Sequence, residues 1–204
     1  MSGRFITFEG GEGSGKSTQA RLLAEDLTSR GHKVVLTREP GGTSGAEAIR
    51  SLLVTGDPDR WTAWGEACLV NAARADHVAR VIRPALDRGD WVICDRFVDS
   101  TRAYQGAGKG IADADLCRLH AMASGDLWPD RTLVLQVSPR QGLARAGARG
   151  DLERRFEGHD AAFHDRIAAF FAALPGQEPD RCHGLDADQP VEVLALAIRA
   201  LVAS

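Results

Sequence analysis

The chain carries a glycine-rich octapeptide near its start that could hold the phosphates of a nucleotide. Residues 10–17 read GGEGSGKS and match the pattern G-x-x-x-x-G-K-[ST] at every fixed position. Glycine lets a backbone approach phosphate oxygens closely, and the amide groups at the start of a following helix attract anions. Lys16 could bridge the terminal phosphates, and the Ser17 hydroxyl could ligate Mg²⁺. The alternative is a glycine-rich turn that merely caps a helix. The predicted nucleotide-binding residues are Gly10, Gly11, Glu12, Gly13, Ser14, Gly15, Lys16, Ser17 and Thr18.

A second candidate group is the Asp95–Arg96 pair, which follows the apolar run WVIC. Ligands of open parallel sheets bind at the carboxyl ends of the strands. Asp95 could hold Mg²⁺ or its water, and the planar fork of Arg96 could clamp a phosphate. A surface ion pair at a strand end is the alternative. The functional interpretation is favoured because Lys16 follows a predicted neighbouring strand.

The elements that must position these residues alternate between strands and helices. Apolar runs predict five strands, at residues 4–8, 33–37, 91–95, 131–137 and 182–186. Helical patterns begin after Lys16 and recur at residues 46–53, 63–86, 100–105, 114–124, 139–148, 161–174 and 191–203. Pro84 is expected to kink or interrupt the helix over 63–86. This alternation predicts an α/β fold with a parallel sheet covered on both faces, in one domain over residues 1–204.

The composition excludes several other classes of protein. With 44% hydrophobic and 26% charged residues, the chain is typical of a globular protein, and its net charge of −3 does not favour general nucleic-acid binding. No apolar run approaches the ~20 residues of a membrane span, and the first residues do not form a secretory signal. The cysteines are widely spaced and predict reduced, mostly buried thiols in a cytosolic protein. They are Cys68, Cys94, Cys117 and Cys182.

Longer blocks of sequence make the chain resemble a known family. These blocks are FEGGEGSGKSTQ at 8–19, TREPGGT at 37–43, AARADHV at 72–78, RPALDRGDWVICDRFVDSTRAYQG at 83–106, GLARAGARG at 142–150 and DADQP at 186–190. In this order they resemble bacterial thymidylate kinases, P-loop nucleoside monophosphate kinases that convert dTMP to dTDP. The resemblance implies a three-layer fold, an arginine-rich lid at about 147–158, Mg-ATP as donor of the γ-phosphoryl group, and a cytoplasmic homodimer that contributes to dTTP synthesis. It implies no nucleic-acid or membrane partner.

The resemblance also assigns expected roles. Glu12 matches an acid that reaches the sugar 3′-hydroxyl, and Arg96 matches an arginine that holds the acceptor phosphate. Tyr104 falls where the family packs against the sugar and crowds its 2′ position. The acceptor-binding residues that it implies are Glu12, Arg38, Val70, Arg74, Arg96, Ser100, Thr101, Tyr104 and Gln105. The implied catalytic residues are Lys16, Asp95, Arg96 and Arg149, and the implied metal ligands are Ser17 and Asp95.

Several positions depart from the family pattern or stay open. Val70 stands where the family has a phenylalanine that stacks on thymine, so base binding is expected to be weaker, or Phe97 compensates. The glycine loop lacks the arginine that some members carry. The lid, and above all Arg149, is therefore expected to stabilise the charge of the transition state. Either Arg154 or Arg155 could serve beside it, although a solvated mixed-charge helix end is the alternative for this segment. Glu9 lies either near the metal or against an arginine.

Three other functions fit the sequence less well. A P-loop kinase of another small acceptor would share the glycine loop and Asp95, but it would not need Thr101 and Tyr104 in this arrangement. A GTP-binding regulator would need an Asn-Lys-x-Asp motif, which the sequence lacks. A structural or binding module would not require the Lys16–Ser17 pair.

Overall fold

The computed structural model describes residues 3–147 and 158–203, apart from the side chains of Pro58 and Ala146. These residues form a parallel sheet of five strands in the order β2-β3-β1-β4-β5. The strands are β1 (Phe5–Glu9), β2 (Val34–Arg38), β3 (Trp91–Asp95), β4 (Arg131–Gln136) and β5 (Cys182–Asp186). The predicted strands are therefore confirmed, each to within one residue at either end.

Helices connect successive strands, as the sequence predicts. They are α1 (Lys16–Ser29), α2 (Ser44–Val54), α3 (Ala63–His77), α4 (Arg83–Asp87), α5 (Val98–Thr101), α6 (Asp113–Ser124), α7 (Pro139–Gly147), α8 (Ala161–Gln177) and α9 (Val191–Ala203). A 3₁₀ turn occupies Pro58–Arg60, and π-helical turns occupy Val78–Ile82 and Arg102–Gly108. The last residue of the helix predicted over 139–148 lies outside the described residues.

The alternating side chains of the sheet build a core on both of its faces. Phe8 packs in a cluster that includes Leu23 of α1 and Ile198 of α9. Phe5 belongs to a separate cluster with Ile82, next to α4. Because neighbouring positions of a strand point to opposite faces, these two clusters lie on opposite sides of the sheet. The three-layer α/β architecture is confirmed.

The helix predicted over residues 63–86 is continuous but not uniform. Within the π-helical turn, the N–H of Arg83 donates to the carbonyl of Val78, five residues earlier. Pro84 follows in the first turn of α4, where its missing N–H does least harm. The interruption expected at Pro84 is thus a π turn placed just before it.

The register of the sheet brings the candidate residues to one edge. Phe8 of β1 is paired with Asp95 of β3, and Arg38 of β2 is paired with the same aspartate. Since the strands are parallel, the loops after β1, β2 and β3 emerge together. The glycine loop, the 38–43 loop and the Asp95–Arg96 pair therefore share one end of the sheet.

The cysteines agree only partly with the prediction. All four are free, but Cys68 is exposed and Cys117 is partly exposed. These two lie on the helices α3 and α6, whereas Cys94 and Cys182 are buried on strands of the sheet. The expectation of mostly buried thiols is wrong for the helical pair. Across residues 3–147 and 158–203, none of the helices combines the length and apolar character needed to cross a membrane.

Candidate active site

The glycine loop wraps tightly between β1 and α1. Gly10, Gly13 and Gly15 have φ values of 137°, 65° and 89°, a region that favours glycine. A Cβ atom on Gly13 would lie 2.0 Å from the carbonyl oxygen of Gly142. Helix α1 begins at Lys16, directly after the loop. The loop thus places the amide groups of a helix start where phosphate oxygens can reach them.

Lys16 is folded into this loop. Its Nζ atom donates to the carbonyls of Gly10 (3.1 Å) and Gly11 (2.7 Å) and to the Ser14 hydroxyl (3.2 Å). Burial, and secondarily the nearby Arg96, lowers the pKa of Lys16 to about 8, against the opposing effect of carboxylates. Phosphate groups beside the ammonium would favour its charged form.

Ser17 and Asp95 form the part of the site that can accept a metal. The Ser17 hydroxyl donates to Asp95 Oδ2, while Asp95 Oδ1 is buried without a hydrogen-bond partner among the described residues. A buried carboxylate oxygen of this kind suits a hard cation. Mg²⁺ is commonly held by one or two protein groups together with phosphates and water. The pair therefore fits Mg²⁺, although residues 3–147 and 158–203 contain no cluster of three or more His, Cys, Asp or Glu side chains.

Arg96 adopts a backbone conformation that is uncommon for a residue with a side chain, at φ 69°. Its Nη1 atom donates to the Gly10 carbonyl (3.0 Å) and the Ser100 hydroxyl (3.1 Å), and Nη2 donates to Glu12 (2.9 Å). The guanidinium carbon lies 5.2 Å from the ring centroid of Tyr104. Burial opposes the charge of Arg96, but Glu12 and other anionic groups outweigh it and raise the pKa above its usual value. The side chain is therefore a fixed cation.

Glu9 holds the turn that carries Arg96. It is fully buried at the end of β1, where one carboxylate oxygen accepts the Phe97 N–H (2.7 Å) and the other accepts the Ser100 hydroxyl (2.6 Å). Burial, and secondarily the charge of Asp99, raises the pKa of Glu9 to about 7. Glu9 therefore acts on Arg96 through Ser100, which bonds to both.

A cavity of about 260 Å³ opens beside these groups. All site residues predicted from the sequence line this cavity if the structure describes them, except Gly10, Gly11 and Thr18. Gly10 is buried, Gly11 lines a second cavity of about 570 Å³, and Thr18 is exposed on α1. The first cavity joins a phosphate-binding end at Lys16 to an apolar end, where Val70 packs in a cluster with Leu53 and Val54 of α2.

Arg74 is the most deeply buried cation of the cavity wall, with 1% of its surface exposed. It donates to Glu39 (2.8 Å), Asn71 (3.3 Å) and Thr101 (2.9 Å). Glu39 also contacts the imidazole of His77 at 3.1 Å. Arg74 is thus held rigidly at the cavity wall.

Phe97 does not supply an aromatic face in place of a phenylalanine at Val70. Its side chain is fully buried, and the guanidinium of Arg74 lies 4.9 Å from its ring centroid. A second contact brings Phe5 edge-on at 4.9 Å. Phe97 also borders the cavity, but this packing commits its ring to the core and does not favour compensation by Phe97.

Comparison with known proteins shows which family shares this arrangement. A family model described as thymidylate kinase matches residues 8–198. The chain belongs to the thymidylate kinase family. Phosphoryl transfer from ATP to dTMP, which gives dTDP, is the function of this family, and its members are nucleoside monophosphate kinases.

Individual relatives agree with the family model. The thymidylate kinase of Rhizorhabdus wittichii is 54% identical over 203 residues, which cover 98% of each chain. That of Caulobacter vibrioides is 51% identical over 200 residues, 98% of this chain and 96% of the relative. The crystal structure of thymidylate kinase from Ehrlichia chaffeensis superposes with a TM-score of 0.80 at 33% identity, over 99% of both chains.

The family's lid segment is only partly described. Arg149, Arg154 and Arg155 lie outside the described residues, as does most of the predicted lid at about 147–158. Arg145 of α7 is described, and it donates to the Ala187 carbonyl and to Asp188, both at 3.0 Å. It therefore ties the helix before the lid to the turn after β5.

Several residues that support the site were not predicted from the sequence. Glu39 and His77 orient Arg74, and Arg50 lines the cavity while donating to the Pro40 carbonyl at 2.8 Å. Glu39 and His77 both lie in sequence blocks that the chain shares with the family, and their place in these blocks could have identified them. Arg50 lies in an ordinary amphipathic helix, and its position gave no such signal.

Proposed function

We propose that this chain transfers the γ-phosphoryl group of ATP to the 5′-phosphate of dTMP. The observation that carries the proposal is the shape of the 260 Å³ cavity, which has Lys16 and Arg96 at one end and Val70 at the other. A nucleoside monophosphate can lie along it with its phosphate beside the glycine loop and its base against the apolar wall. The two phosphates that react would then meet between Lys16 and Arg96.

The chemistry in this arrangement depends on alignment and charge. An acceptor phosphate oxygen is already ionised near neutral pH, so no strong general base is needed. Lys16 would neutralise the donor phosphates, and Arg96 would present the acceptor. Because the Arg96 fork is already oriented by Glu12 and Gly10, little reorganisation accompanies binding. Arg149 of the lid is expected to meet the charge that spreads over the transferring group.

Ser17 and Asp95 would hold Mg²⁺, whose role when bound is to neutralise the donor phosphates. The partnerless Asp95 Oδ1 supports this assignment. The hydrogen bond between Ser17 and Asp95 keeps both oxygen ligands at the same point of the site.

Glu12 and Tyr104 are assigned to the deoxyribose. The Tyr104 hydroxyl donates to Glu12 at 2.8 Å, so the two side chains form one wall of the cavity. A carboxylate there can accept the 3′-hydroxyl, and the tyrosine ring would crowd a 2′-hydroxyl. Arg38, Ser100 and Thr101 complete the polar lining toward the phosphate and base.

Several broader expectations belong to the same proposal. We expect one domain over residues 1–204, with a lid at about 147–158 that closes over ATP. We also expect a cytoplasmic homodimer that uses the helices around 63–86, with no nucleic-acid or membrane partner. Size-exclusion chromatography with light scattering tests the dimer.

A coupled assay of ADP release tests the proposed reaction. The purified chain would be supplied with Mg-ATP and, side by side, with dTMP, dUMP, dGMP and UMP. We expect dTMP to give the highest kcat/KM and UMP to be a poor acceptor. If dTMP does not stimulate ADP release, the proposed function is wrong.

A further inference from the structure

A buried carboxylate outside the cavity controls the orientation of a residue that lines it. Glu66 belongs to the first turn of α3 and is fully buried. One of its oxygens accepts a hydrogen bond from Gln105 Nε2 at 2.6 Å, and the other pairs with Lys109 Nζ at 3.1 Å. Glu66 does not line the cavity, whereas Gln105 does. The hydrogen bond therefore connects the buried charge of Glu66 to Gln105, a side chain that lines the cavity.

The position of Gln105 places it beside the expected base. Glu66, Val70 and Arg74 follow one another at four-residue intervals along α3, so they share one face of that helix. Thr101 and Gln105 form an opposing row. Arg74 bonds to Thr101 at 2.9 Å and Glu66 bonds to Gln105, so the two rows are joined at both ends. Val70 lies between these two hydrogen bonds, at the apolar end of the cavity.

The pairing of Glu66 fixes which atom of the Gln105 amide faces the cavity. A carboxylate paired with the Lys109 ammonium accepts hydrogen bonds and cannot donate them. The amide NH₂ of Gln105 must therefore point at Glu66. Its carbonyl oxygen, on the other branch of the planar group, is left for the cavity. The neighbouring Ala67 and Ile111 belong to an apolar cluster, where such contacts are strengthened by exclusion of water.

We propose that Glu66, by orienting Gln105, makes the acceptor cavity select pyrimidines that carry a hydrogen on N3 and reject cytosine. This inference rests on the proposed function and concerns a residue that does not touch the substrate. Thymine and uracil present an N3–H, which the Gln105 carbonyl oxygen can accept. Cytosine presents a lone pair at N3, which would face that oxygen without a hydrogen bond. Glu66 is thus a positioning residue for specificity.

The Glu66→Gln variant tests this role. A glutamine at this position can either accept from Gln105 or donate to it, so the Gln105 amide is free to turn over. We expect kcat/KM for dTMP to fall, kcat/KM for dCMP to rise, and their ratio to drop by about tenfold or more, since sites built around one hydrogen bond discriminate by at least that factor. The inhibition constant of dCMP against dTMP should fall in parallel.

Two further variants control the experiment. Glu25→Gln alters an exposed carboxylate that pairs with Arg21 on α1, and it should leave the dTMP to dCMP ratio unchanged. Lys109→Met removes the ammonium that holds the second carboxylate oxygen of Glu66. Glu66 can then turn away from Gln105 and no longer fixes the orientation of its amide, so the ratio should fall here as well. This variant decides the question if Glu66→Gln does not fold, as judged by circular dichroism.

The possible results separate this inference from the proposed function. A folded variant whose dTMP to dCMP ratio stays at the wild-type value overturns the role of Glu66. A parallel loss of activity with both nucleotides overturns it too, because it would show a merely structural effect. A wild-type chain that does not phosphorylate dTMP refutes the proposed function instead.

Discussion

The wild-type chain is expected to lose stability as the pH rises because Glu9 ionises. The Glu9→Gln variant is expected not to show this loss. The pKa of Glu9 is raised from 4.5 to about 7 in the folded chain, chiefly by burial. Folding therefore favours the protonated form. The contribution of this group to stability is fully present below pH 4.5 and is lost as the pH rises through about 7.

The size of the effect follows from these two pKa values. Relative to the fully protonated group, the native state is destabilised by about 1 kcal/mol at about pH 5.5 and by about 3 kcal/mol at about pH 8. The free energy of unfolding should thus fall by about 2 kcal/mol between these conditions because of Glu9 alone. Glutamine resembles the protonated carboxyl in shape and keeps an acceptor for the Phe97 N–H. The variant should lack this component of the pH dependence.

Urea unfolding, followed by tryptophan fluorescence at the two pH values, measures the difference. All other titrating groups are shared, so the comparison isolates Glu9. Glu25→Gln serves as the matched control, because that carboxylate is exposed, and it should follow the wild type. Parallel pH profiles for wild type and Glu9→Gln would refute the assignment of a raised pKa to this buried carboxylate.

Four further variants probe the nucleotide sites. Arg149→Ala is expected to lower kcat by about 10³-fold with little change in the KM for dTMP, because a lid arginine acts on charge in the transferring group; equal losses in both would show that it only binds. Val70→Phe should lower the KM for dTMP by about three- to tenfold through stacking, and an unchanged KM would show that this position does not limit base affinity. Arg96→Lys should lower kcat/KM by about 10²-fold, since an ammonium cannot reproduce a planar fork; a near-normal value would contradict the phosphate-clamp role. Gly13→Ala should abolish ATP binding in calorimetry, because its Cβ would collide with Gly142 at 2.0 Å, and wild-type affinity would contradict the loop geometry.

The sequence predicted the sheet well because each strand is a short apolar run bounded by polar or turn residues. It predicted a helix over 63–86 with a kink or interruption at Pro84 but not the π turn before that proline, since hydrophobic periodicity cannot distinguish an α-helix from one that contains a π turn. The same limit applies to residues 100–105, where α5 passes into the π-helical turn Arg102–Gly108. A single added residue per turn is too small a change for the pattern to reveal.

The site was predictable where chemistry lies in local motifs and not where it depends on distant contacts. The glycine loop and the Asp95–Arg96 pair were read from consecutive residues, and the sheet brings them together. The contact of Glu39 with Arg74 joins residues 35 positions apart, and that of Glu66 with Gln105 joins residues 39 apart. Periodicity does not report which buried polar groups will face each other, so these pairs emerge only from the packing.

The π turn at Val78–Ile82 sets the angle, about the helix axis, by which α3 is rotated relative to α4. Each residue of an α-helix advances the chain by about 100° around the axis. Deleting one residue from the turn would let it close as an α-helix and would rotate α3 by about that angle relative to α4. Ile82 is anchored in the core, so the rotation would turn Val70 and Arg74 away from the cavity. Substitutions at the exposed Ala79 and Arg80 should therefore be tolerated. A change in the number of residues in the π turn would disrupt the acceptor site, although the turn itself does not line it.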